Sequence, residues 1–286
     1  MGANIRPYYS QRTGQSPREL DLANLARLFD GIWDDFKEKD YFQEWFGYEC
    51  VDGGDVPGRA GRNIDRFVFS RLRKDIWGVA ATDYTEDDLF DMIEFLHDHV
   101  SKPSGGDYHS YCDCGMHYGL GNATFDAEAG RAEYRAEIDA VLRDYGTGYE
   151  LSAQGEVLAL AEPGMEGLLA NRLPSHDEEN VEARVANAIG RFRRSRSSLA
   201  EKKAAVRELS DVLEFLRPRL KEVLLSKDEA DLFNIANNFG IRHHNAEQKT
   251  DYDEDFWVPW MFYHYLSTIH VALRLIRRSE QAANKD

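Results

Sequence analysis

Residues 205–224 read AVRELSDVLEFLRPRLKEVL. Val206, Leu209, Leu213, Leu216, Leu220 and Leu224 recur at steps of three and four, the period that gathers side chains on one face of an α-helix. Charged residues fill most other positions. The stretch predicts a long amphipathic helix. Pro218 marks a kink or a fresh start in it, because proline lacks the N–H of the helix ladder and crowds the preceding turn.

The flanks repeat that period. Upstream, Val181, Val185, Ile189 and Phe192 predict a shorter helix, and a polar joint, RRSRSS, separates it from the long one. Downstream, Asp228 can cap a helix over DEADLFNIANNF, with Gly240 ending it. After the acidic residues 251, 253, 254 and 255, a last helix is predicted to begin near Pro259. It is apolar almost all round as far as Ile276, which suits a central buried helix. Arg274, Arg277 and Arg278 then fall at its C-terminal end, where positive charge is favoured. The fold class is therefore mainly α.

Glu162 to Asp177 mixes Pro, Gly, Ser and His and reads as a boundary between two helical domains, 1–170 and 177–286. In the front part, Leu22, Leu25, Leu28, Phe29, Ile32, Trp33 and Phe36 predict an amphipathic helix. Shorter helices are expected at 40–47 and 62–76. Thr85 opens another, with Asp87 and Asp88 in its first turn and Leu89, Ile93, Leu96 and Val100 on its core face. A further helix is expected at 127–145. YELSAQGEVLAL (149–160) alternates on both sides of a Gln-Gly turn and predicts a small β-hairpin.

The chain of 286 residues carries a formal net charge of −16, unevenly spread. Residues 1–176 hold 17 Lys and Arg against 32 Asp and Glu, which makes the first domain acidic and a poor surface for polyanions. Residues 181–225 hold 11 basic against 6 acidic residues, so any contact with phosphates is expected there. Only Cys50, Cys112 and Cys114 occur, which fits a reducing compartment. With no apolar run of signal-peptide or membrane-spanning length, the expectation is a cytoplasmic protein without membrane contact. GxSxG, GxxxxGK[ST] and a strand-borne GxGxxG are all missing, which argues against nucleotide hydrolysis and hydride transfer, and no cofactor is expected.

The loop before the last helix reads FGIRHHNAEQKTDYD (239–253). Arg242 offers a planar fork of donors suited to phosphate, and His243 and His244 can give and take protons near neutral pH. With Asn245 they suit general acid–base cleavage of a phosphodiester, Arg242 stabilising the charged transition state. The same residues also fit a purely structural role, with Arg242 paired to Asp251, Asp253 or Asp255 and the histidines bonded to backbone carbonyls. Arg191, Arg193, Arg194 and Arg196, followed by Lys202 and Lys203, read either as a solvated helix end or as an RNA-binding strip leading to Arg242.

Over roughly residues 180–278, the stretches AVRELSDVLEFLRPRLKEVL, DLFNIANNFGIRHHN and WVPWMFYHYLSTIH resemble a HEPN domain, the all-α domain shared by higher eukaryotes and prokaryotes. The likeness is to those of bacterial abortive-infection and other phage-defence proteins. DLFDMIEFLHDHVSKP and YHSYCDCGMHYG bear a vaguer likeness to the helical N-terminal modules of such proteins. The resemblance implies a C-terminal helical bundle, a sensing or regulatory N-terminal domain, and a homodimer in which two motifs form one metal-independent RNA-cutting cleft. It places Arg242 at the family's arginine and His243 at the adjacent polar position. The family's histidine, four to six residues beyond that polar position, has no counterpart in Glu247, Gln248 and Lys249. Either His244 takes its place, or the domain is an inert HEPN-like module for dimerisation and for binding a partner protein or nucleotide.

His109, Cys112, Cys114 and His117, with His97 and His99 upstream, bring together residue types that ligate zinc. Cys-x-Cys spacing rarely closes a tetrahedron locally, and Tyr108, Tyr111, Gly115 and Tyr118 suit a tight aromatic turn. The expectation is a turn without a metal.

Overall fold

The computed structural model describes residues 6, 8–13, 20–106, 108–111, 115–118, 123–224 and 253–283. Among these the protein is mainly α, with small two-stranded sheets. The chain divides into two compact units, Met1–Val157 and Leu158–Asp286.

In the first unit, α1 spans Tyr9–Arg12 and α2 Leu22–Glu38, the latter started by Asp21, whose side chain accepts the Asn24 N–H at 2.8 Å. The short α3, Gln43–Phe46, leads into β1, Tyr48–Cys50, which pairs antiparallel with β2, Gly54–Val56. This hairpin forms because glycine at 54 takes φ +64 at no steric cost.

Helix α4 spans Ile64–Leu72 and α5 Glu86–His99. Thr85 opens α5 with a reciprocal cap: its hydroxyl accepts the Asp88 N–H, and the Asp88 carboxylate accepts the Thr85 N–H. Strand β3, Lys102–Gly105, pairs with β6, Thr124–Asp126, around the hairpin of β4, Tyr108–Tyr111, and β5, Gly115–Tyr118. Helix α6, Ala127–Leu142, approaches β3 so closely at Gly130 that a Cβ there would meet the Lys102 nitrogen at 2.7 Å. Strands β7, Tyr149–Leu151, and β8, Val157–Ala159, form the hairpin expected at 149–160. The core gathers Leu25 and Phe29 of α2, Leu89, Met92, Ile93 and Leu96 of α5, and Tyr134, Ile138 and Leu142 of α6, all fully buried. Burying each such side chain contributes about 1.5–3 kcal/mol before conformational entropy is set against it.

In the second unit, α7 spans Glu166–Ala170, and a π-helical turn, Glu178–Glu182, leads into α8, Ala183–Arg193. Helix α9, Leu199–Val223, starts from a Ser198–Glu201 capping box and runs unbroken through Pro218. Buried Leu216 and Leu220 anchor it on both sides of the proline, so packing keeps one helix where a kink or restart was expected. Helix α10 spans Glu254–Ala283 and starts five residues before Pro259. The Trp257 N–H already donates to Asp253 O at 2.9 Å, so the first turn closes ahead of the proline.

Two ion pairs fix the direction of the long helices. Lys203, near the start of α9, meets Glu254 at the start of α10 at 2.6 Å, and Arg219, near the end of α9, meets Glu280 near the end of α10 at 2.7 Å. Helices α9 and α10 are therefore parallel. Their shared core includes Val206, Leu209, Leu213, Leu216, Leu220, Phe262, Leu266, Ile269 and Leu273.

Candidate functional site

Arg242, His243, His244 and Asn245 lie outside the described residues, as do Glu247, Gln248, Lys249 and the helix expected over 228–239. The flanks of that stretch are described. Leu224 closes α9 and Asp253 precedes α10, and because the two helices are parallel these residues stand at opposite ends of the pair. The stretch carrying Arg242 thus joins the two longest helices of the unit.

The start of α10 is aromatic. Phe256 (60% exposed) and Trp260 (39%) face solvent, and Trp257 is half-buried. Trp257 meets Trp260 edge-on with ring centroids 5.3 Å apart, and Trp260 lies parallel to the His264 ring at 5.1 Å. His264 Nε2 is buried without a hydrogen bond, and burial lowers the pKa of the imidazole. Sequence reading treated this helix as apolar almost all round. It missed the stack, although the spacing of four between Trp260 and His264 on a helix carries the signal.

The four arginines of the expected RNA strip do not share one environment. Arg191 and Arg194 are exposed, and Arg196 is exposed in a left-handed turn with φ +61. Arg193 is buried, and its Nε donates to the Ala159 carbonyl at 2.9 Å. Arg193 is four residues past Ile189, so the helix period sets it on the inward stripe with Val185 and Phe192. Lys202 lies over the Phe192 ring, 5.8 Å from its centroid, and Lys203 pairs with Glu254.

The second unit also holds a cavity of about 420 Å3 beside the π-helical turn. Leu173, Val185, Ile189 and Leu266 supply apolar walls, Arg172 stands at the rim, and buried His270 forms part of the lining. The His270 ring is hydrogen-bonded to the Leu168 carbonyl, and burial and then Arg274 hold its pKa down. Two backbone N–H groups, of His176 and Asp177, donate to the Glu182 carboxylate and fix the turn. An irregular helical turn over an apolar cavity with a neutral histidine is an arrangement suited to ligand binding.

Of the cysteine–histidine cluster, Cys112 and Cys114 lie outside the described residues. His109 and His117 are direct partners across the β4–β5 pair. His97 and His99 are buried in α5, and among the described residues no group of His, Cys, Asp and Glu is placed to hold a metal ion.

Comparison of the chain with models of protein families, with curated proteins and with solved structures finds no match. Among the described residues no helix is long and apolar enough to cross a membrane.

Proposed function

We propose that the chain is a HEPN-type protein of prokaryotic defence, and that a dimer of its second unit cuts RNA without metal. The observation that supports this most is that, in the sequence, the Arg-His-His-Asn stretch falls between two long parallel helices that share a mainly apolar core. A rigid helical scaffold of that kind can hold a polar loop in a working geometry. In this reading Arg242 stabilises the pentacoordinate phosphate, and His244 moves the proton between the ribose 2′-hydroxyl and the leaving oxygen, with His243 and Asn245 orienting it. Exposed Arg191, Arg194 and Arg196 attract the RNA backbone, and Arg193 serves the fold. The first unit, with its acidic balance, senses or regulates.

Incubation of the full chain with tRNA and total RNA in EDTA tests the reading. Wild type is expected to generate discrete fragments that His244→Ala does not. Identical gel patterns for the two proteins would remove the case for catalysis.

A second reading rests on a specific observation: Glu247, Gln248 and Lys249 occupy the positions of the family's histidine. In it the unit is an inert HEPN-like module that dimerises and binds a partner protein or nucleotide. That reading expects no RNA cleavage and a stable dimer by light scattering.

A further inference from the structure

The first unit contains a cavity of about 410 Å3 along one face of α5, lined by Asp91, Glu94, Phe95, Asp98 and His99 of that helix, by Arg71 and Leu72 of α4, and by Trp45. Spacings of three and four place Asp91, Glu94 and Asp98 in one row. The three carboxylates are not equivalent. Asp91 is met by Lys74 at 2.6 Å, and the same ammonium takes Asp88 at 2.8 Å. Glu94 uses one oxygen to accept the Val157 N–H at 2.7 Å, which leaves its other oxygen open. Asp98 is 64% exposed, and Arg131 beside it donates to the backbone carbonyls of His97 and Asp98 rather than to the carboxylate. His97 Nδ1 stands 3.7 Å from Asp98, beyond a hydrogen bond, and burial keeps that imidazole neutral, so the pair is not an ion pair.

His99 supplies an independent observation. It is only 7% exposed and lines the cavity. Its Nδ1 lies 2.6 Å from the Phe95 carbonyl, so Nδ1 carries the proton and Nε2 is left as an acceptor, for which the structure shows no hydrogen bond. On the α5 side of the cavity, Glu94, Asp98 and His99 Nε2 keep spare acceptor capacity. Of the nearby cations, Arg71 belongs to the lining and Lys74 does not. Lys74 is spent on Asp88 and Asp91, and the Arg71 guanidinium lies over the Phe67 ring, 5.4 Å from its centroid. Arg71 against Asp91, Glu94 and Asp98 leaves the lining two charges negative, and Lys74, outside it, is shared between Asp91 and Asp88. Trp45, Leu72 and Phe95 add apolar surface. Burial and then repulsion from Asp91, Glu156 and Asp98 raise the pKa of Glu94, a crowding that a bound positive charge would relieve.

We propose that this cavity binds a small organic monocation, an ammonium or guanidinium group on a short apolar body, with the N–H donors on Glu94, Asp98 and His99 Nε2 and the apolar body against Trp45 and Leu72. The site is independent of the nuclease reading and stands or fails without it.

Calorimetric titration of the full chain at low ionic strength with n-butylammonium, n-butylguanidinium and butyrate tests it. At least one of the two cations is expected to bind saturably at one site per chain, and butyrate is not. Glu94→Gln keeps an oxygen for the Val157 N–H and is expected to melt as wild type does. Losing one charge-assisted hydrogen bond should weaken cation binding by about tenfold or more. Asp98→Asn, at an exposed position, should weaken it likewise and keeps the test sound if the first variant misfolds. The 15N shift of His99 Nε2 should move on titration. Absence of saturable heat with both cations, equal binding of butyrate, or unchanged affinity in folded variants would overturn the proposal.

Discussion

A Cβ atom at position 155 would lie 2.4 Å from Nδ1 of His97. Gly155 turns the β7–β8 hairpin with φ +89, and its N–H donates to Ser152 O at 3.0 Å. The hairpin thus closes directly over a histidine that is 2% exposed, and neither His97 ring nitrogen forms a hydrogen bond. The bare glycine is what lets the turn seat there.

Gly155→Ala combines a left-handed backbone strain of about 1–2 kcal/mol with a steric clash against a buried ring. The variant is expected to lose about 2–4 kcal/mol in urea unfolding. Gly164, at φ +87 with nothing within 4 Å, is the control: alanine there meets only the backbone term. Equal losses at the two positions would contradict the close packing described.

Stability should depend on pH through the buried histidines. Burial lowers the pKa of His97, His99, His264 and His270. The unfolded chain therefore binds protons before the folded one. The stability these neutral rings contribute is fully present above about pH 6.5 and falls as pH drops through their folded values, by at most about 1.4 kcal/mol per histidine per pH unit. Asp40, which burial pushes up to about 6, and Asp30, Glu94 and Asp139, which burial also raises, act in the opposite sense, contributing at low pH and losing that contribution as pH rises. The imidazoles begin to charge in the unfolded chain at about pH 6.5, inside the window, whereas the carboxyls start from ordinary values of about 4, so urea midpoints should drop between pH 7.5 and 5.5, and His97→Gln should flatten the slope. A midpoint that rises on acidification would contradict the burial of these rings.

Phe192 of α8 stacks face to face on Phe262 of α10, with centroids 3.9 Å apart and planes 6° from parallel. Phe262 is fully buried, and Phe262→Ala should cost about 3–5 kcal/mol, read by urea unfolding. Phe262→Leu keeps most of the volume and should lose much less. A loss for alanine below about 1 kcal/mol would mean that the α8–α10 contact is absent in solution.

Helix positions were legible wherever a sustained three-and-four stripe met a capping residue. Thr85 with Asp88 marks α5, the stripe from Val206 to Leu224 marks α9, and the Gln-Gly turn marks the β7–β8 hairpin. The pairs β1–β2 and β3–β6 escaped because three or four residues give too little alternation to register, and β3 finds its partner about twenty residues away. Proline misled at 218 and 259, where tertiary packing and an early first turn override its local effect. The parallel run of α9 and α10 depends on Lys203–Glu254 and Arg219–Glu280, pairs 51 and 61 residues apart that no local pattern announces. The acidic cavity was hidden for the same reason. The Asp91–Glu94–Asp98 row is visible in one helix, but Trp45 and Arg71 reach it from separate segments. Arg193 could have been separated from its neighbours by its step of four from Ile189.

The most direct measurement is single-turnover cleavage of end-labelled RNA in EDTA by the wild-type chain and by Arg242→Ala and His244→Ala, each first shown to melt like wild type. Wild type should cut, and each variant should be slowed by about a hundredfold or more, the scale of losing a proton-transfer group or a charge stabiliser. Cleavage at the same rate in all three proteins, or no cleavage by wild type, would contradict the account.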